Sequence, residues 1–167
     1  MFILKPLAFT TLAVLFALIF IGGYVGASGV GLTCPEWPLC PRGLLPHEDF
    51  VIEYIHRSVA ATTGMLVIAT MAFTLKSKDA SRGMKIASII AAGAVIGQIT
   101  LGAIVIVERL HAVLVTAHLG LGLVLFSMVL IIVLSASRID NDNKRIKTPE
   151  ASSNLSPRSN KTTTTNN

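Results

Sequence analysis

Residues able to do chemistry are few in this apolar chain, and three of them fall in one short stretch, EYIHR at 53–57. Glu53 and His56 are three positions apart, so on a helix they share a face about one turn apart. Arg57 would point about 100° away from His56, toward a neighbouring helix or outward. A second histidine, His118, stands in LVTAHL. The chain's two cysteines, Cys34 and Cys40, sit with Pro35, Trp37 and Pro38 in GLTCPEWPLC. A carboxylate can move a proton or balance positive charge. Imidazoles can ligate a metal or relay protons, and two thiols can form a bridge or a redox pair.

The elements that must position these groups are membrane spans. The mean hydropathy is +0.69, and apolar runs cover 6–25, 51–75, 86–107 and 112–135. Each is about 20 residues or longer, enough to cross a hydrocarbon core of about 30 Å. A soluble helix of that length would carry a polar stripe, and these do not. The expected fold is an all-α four-helix bundle in the membrane, occupying residues 1–137. From 138 to 167 the chain turns polar and lacks the apolar surface to offset its ordering entropy, so a disordered tail is expected there.

The net charge of +5 does not mark a nucleic-acid partner, because of where the charge lies. Lys5, then Lys76, Lys78, Arg82 and Lys85, then the basic residues from Arg138 onward, fall at one end of the spans. Arg42 and Arg109 lie at the other, with Arg57 just inside a span. The positive-inside rule then places both termini and the middle loop in the cytoplasm. The loop of residues 26–50 faces outward, in a multi-pass protein of the plasma membrane. The first run exceeds the usual length of a signal-peptide core, so it is read as a span.

Outward placement puts Cys34 and Cys40 where a disulfide can persist. Structural bridge, redox dithiol and metal ligation all stay open for the pair. Trp37 suits the headgroup level. His47 and His111 read as solvated loop residues, whereas His56 lies about 8 Å into its span and His118 about 9 Å into its own. Both spans enter from the same side, so the two imidazoles reach matched depth. Facing histidines in a bundle can hold a haem iron between them; a hydrogen-bonded pair and a proton path are the alternatives. Arg57, Arg109 and Arg42 could pair with haem propionates or snorkel to headgroups. A faint 2+2 repeat is visible too. GGYV at 22–25 and GAIV at 102–105 each precede a span with a histidine near its start.

From GGYVGASGVGLTCPEWPLC through EYIHRSVA and QITLGAIVIVERL to LVTAHL, the chain resembles the haem A synthase family of cytochrome oxidase assembly factors. The likeness is to one half of the eight-span relatives, a compact four-span form. It implies oxidation of a methyl group of haem O to the formyl group of haem A by successive hydroxylations. It also implies Glu53 as the functional acid, His56 and His118 as axial ligands, and Cys34–Cys40 as the outer-loop pair. The implied cofactor is haem b. Implied partners are haem O, delivered by a haem O synthase, a membrane electron donor or acceptor, and a second copy of the chain. One departure is Gly26, where relatives often carry arginine, which removes an anion contact or shifts it to Arg57 or Arg109. Two other classes compete. A quinone-linked disulfide oxidoreductase would generally need a further cysteine pair. A non-catalytic bis-histidine b-type cytochrome subunit would leave Glu53 and the cysteine loop unexplained.

Overall fold

The computed structural model describes residues 3–32 and 51–153, with side chains as far as residue 141. Four helices make up nearly all of it: α1 Leu4–Ser28, α2 Val51–Lys76, α3 Arg82–Val107 and α4 Ala112–Ser153. A single 3-10 turn, Val30–Leu32, follows α1. All four helices are long and apolar enough to cross a membrane, so this is a multi-pass membrane protein. Cys34, Cys40, Arg42 and His47 lie outside the described residues.

Local chemistry sets the helix ends. Gly29 closes α1 in the left-handed conformation, at φ 74°, where a side chain would be strained. The Ser81 hydroxyl accepts a hydrogen bond from the backbone N–H of Met84 at 3.2 Å, an N-cap that starts α3 earlier than hydropathy alone suggests. Between α3 and α4 the chain reverses in residues 108–111. Arg109 and Leu110 adopt positive φ of 48° and 61° there, at a cost on the order of 1 kcal/mol each. Leu110 gains a seat in return. Its methyl carbons would lie 3.4 Å from a Cβ placed on Gly31, so it packs directly against that glycine.

The four helices form an antiparallel ring in which α1 packs on α2, α2 on α3, α3 on α4 and α4 on α1. We call the end where α2 and α4 begin the upper end. Two apolar clusters fill the rest. The lower one includes Leu4, Ala8, Met84, Ile132 and Ala136; the middle one includes Leu15, Val67, Ala91, Val95, Leu125 and Val129. The many alanines let the backbones approach closely, which is how helices pack where lipid removes the hydrophobic drive. Phe9, Phe16, Phe20, Ile96 and Leu123 point outward, as lipid-facing residues do.

Most span hydroxyls bond within their own helix. Thr63 donates to the Val59 carbonyl at 2.7 Å, Thr74 to Thr70 at 2.7 Å and Ser127 to Leu123 at 2.8 Å. Thr11 likewise donates to Leu7, which leaves its oxygen to accept from Thr70 of α2 at 3.0 Å.

The end of α4 differs from expectation. Residues 138–153 continue the helix where polar composition pointed to disorder. Adding residues to an existing helix avoids the cost of nucleation. Ile139 also packs on the lower cluster, and Lys5 of α1 pairs with Asp140 at 2.8 Å. Residues 154–167 lie outside the described residues.

Candidate functional site

Going up the bundle, the interior changes character above the middle cluster. On α1 the inward positions run Leu15, then Gly22 and Val25; on α3 they run Val95, Gln98, Gly102 and Val105. On α2 they run Val67, Thr63, His56 and Glu53, and on α4 Leu125, Gly122 and His118. Glycine and histidine thus replace the aliphatic residues that fill the lower bundle.

Each histidine rests on a glycine. A Cβ on Gly22 would sit 3.0 Å from Cε1 of His56 and 3.6 Å from its Nδ1. A Cβ on Gly102 would sit 3.3 Å from Cε1 of His118 and 3.8 Å from its Nδ1. The same ring edge meets a glycine in both halves of the bundle. The repeat of GGYV and GAIV is therefore a structural one: α1 with α2 and α3 with α4 each present one imidazole on one glycine. Nδ1 of both rings is buried without a hydrogen-bond partner among the described residues. α2 and α4, which carry the two imidazoles, stand diagonally across the ring.

Glu53 lies one turn above His56 and is 3% exposed. Its Oε1 accepts from Nη2 of Arg57 at 2.6 Å, within one helix and largely out of solvent. A buried carboxylate needs such a partner, because apolar surroundings disfavour its charge. So the sequence's acid, histidine and arginine do converge, with Arg57 turned to Glu53. Arg109 is exposed in the α3–α4 turn, and His111 is exposed beside it.

Gln98 was missed by sequence reasoning. Its Oε1 is buried without a partner among the described residues. The signal was present, since a lone amide in an apolar span is costly and tends to mark function. Chemically, two imidazoles across a bundle can ligate a metal-centred disc, and a carboxylate one turn away can hold or take a proton.

The family model described as cytochrome oxidase assembly protein matches residues 46–159. The Heme A synthase of Bacillus licheniformis is 34% identical over 138 residues, which are 81% of this chain and 45% of that protein. That of Exiguobacterium sibiricum is 31% identical over 131 residues, 76% of this chain and 44% of its own. That of Shewanella oneidensis is 28% identical over 148 residues, 77% of this chain and 42% of its own. The chain thus spans somewhat under half the length of these curated relatives. Glu53, His56, Arg57, Arg109 and His118 all fall inside the segment the family model matches, and the chain belongs to the cytochrome oxidase assembly protein family.

Proposed function

We propose that this chain carries out haem A synthesis, converting a methyl group of haem O to a formyl group in the membrane. The observation that carries the reading is the pair of glycine-backed imidazoles, His56 and His118, beside the buried Glu53–Arg57 pair. The residues fit a haem. Two orphaned Nδ1 atoms stand on facing helices, and the interior around them lacks the large aliphatic side chains of the lower bundle.

His56 and His118 would hold the haem iron, and Arg57 and Arg109 would pair with its propionates. A haem b held in this way would supply one-electron transfer. Two successive hydroxylations of the methyl carbon and loss of one water give the formyl group, net R–CH3 + H2O → R–CHO + 4 H⁺ + 4 e⁻, with the oxygen from water and the electrons passed to a membrane acceptor. Glu53 takes up a proton released at the methyl carbon or balances positive charge developing there. Charge placement supports cytoplasmic termini and an outward loop at 26–50, holding Cys34 and Cys40 as a bridge. A haem O synthase hands over the substrate. One bis-histidine site per chain supports pairing of two copies, one site for substrate haem and one for cofactor haem.

Full-length protein purified from membranes should carry haem B together with haem O or A, and should convert added haem O to haem A. Haem B alone, with no conversion in membranes that support respiration, would make it an electron-carrying cytochrome subunit instead.

The glycines give a graded expectation. Gly22→Ala should disturb the low-spin haem spectrum more than Gly102→Ala, because the added carbon falls nearer the ring, 3.0 Å against 3.3 Å. Electron paramagnetic resonance of the ferric form reads the ligand-plane change directly. Unaltered signals in both variants would remove the glycines from ligand positioning.

A further inference from the structure

Gln98 lies four residues below Gly102 on the inward stripe of α3, so its amide stands about 6 Å below the Gly102–His118 contact. Its Nε2 is pressed on α4, 2.8 Å from where a Cβ on Gly122 would be. Its Oε1 is enclosed and has no hydrogen-bond partner among the described residues. An aliphatic side chain would fill the position without leaving an acceptor unmet, so the amide calls for a donor that comes from elsewhere.

The repeat sharpens the point. Gln98 stands four residues before Gly102, and four residues before Gly22 stands Leu18, half-buried against the middle cluster. The floor beneath the histidines is apolar on the α1 side and polar on the α3 side. A flat ligand seated there meets an unmet amide acceptor on the α3 side and an aliphatic side chain on the α1 side.

On the reading that the site takes haem O, the ligand's chemistry supplies the missing donor. Propionates held by Arg57 and Arg109 at the upper edge turn the opposite edge of the porphyrin down toward this floor. Haem O carries on that edge a side chain with a hydroxyl group and a farnesyl tail, where haem B has a vinyl group that can donate nothing. We propose that Gln98 Oε1 accepts the hydroxyl hydrogen of haem O, making Gln98 the residue that distinguishes haem O from haem B.

The full chain in detergent, titrated separately with haem O and haem B and followed by low-spin absorbance, tests this. Gln98→Met keeps the volume and removes the acceptor. It should weaken haem O binding about tenfold, the worth of one good hydrogen bond, and leave haem B within about twofold. Equal weakening of both haems would reduce Gln98 to a packing role, and no change in either would overturn the proposal outright. Should the variant fail to fold, the wild-type chain should bind the O-methyl ether of haem O about tenfold more weakly than haem O. Equal binding would then refute the contact. A wild-type chain that takes up neither haem with a low-spin spectrum refutes the haem site itself, which separates that failure from failure of the Gln98 contact alone.

Discussion

On the proposed bis-histidine site, replacing His56 or His118 with alanine is expected to abolish the low-spin spectrum of haem-loaded protein, because a six-coordinate iron would lose a ligand. The affinity loss should exceed the roughly 10- to 100-fold that follows removal of a metal site's outer partner. The two variants should also differ in their response to added imidazole. Gly22 touches the His56 ring and Gly102 the His118 ring, so each deletion leaves a slot backed by a glycine, with the tighter slot on the α1 side. His111→Ala should leave the spectrum intact, since His111 is exposed in the turn before α4. A normal low-spin spectrum in the double variant would refute bis-histidine ligation.

Glu53→Gln is expected to separate binding from turnover. Glutamine keeps the size of the side chain but turns the ion pair with Arg57, 2.6 Å long, into a hydrogen bond from the guanidinium to a neutral amide. That substitution costs about 1–3 kcal/mol in stability, which a packed bundle can tolerate. Loss of a proton-handling carboxylate should lower conversion of haem O by about 10²- to 10⁴-fold. Extracted pigment, normalised to bound haem, should then show substrate or a hydroxylated intermediate. If Glu53 served only to fix Arg57, haem occupancy would fall and each remaining holoprotein would turn over normally. Normal haem A yield per bound haem would therefore exclude a catalytic Glu53.

Much of this arrangement was legible in the sequence for one physical reason. A bilayer demands about 20 apolar residues per crossing, so polar residues inside a crossing stand out against a uniform background. Matched depth for His56 and His118 followed from counting residues in from the two span starts. Their glycine seats were only hinted at, because a glycine in a span can mark a close approach, a lipid-facing gap or nothing. Gly23 and Gly93 illustrate this, since a Cβ on either would meet no atom within 4 Å. Gln98 was overlooked because hydropathy averages its amide into a strongly apolar run, and an orphaned oxygen shows only in three dimensions. The extension of α4 past residue 137 was hidden for a different reason. Composition registers polarity, whereas Ile139 packs on the lower cluster and Asp140 pairs with Lys5 of α1.

The span hydroxyls that bond carbonyls of their own helix have a consequence for biogenesis. A segment leaving the translocon must satisfy its polar atoms before any neighbour arrives, since lipid offers no hydrogen bonds. Thr63, Thr74 and Ser127 meet that demand alone. Those hydroxyls therefore enter the bilayer already bonded. Two links among the described residues that do require a neighbour, Thr11 to Thr70 and Lys5 to Asp140, involve α1. α1 precedes α4 in the chain, and its Thr11 hydroxyl is already bonded to Leu7 within the helix. Its Lys5 pairs only after α4 has been made, so that contact marks the ring as closed.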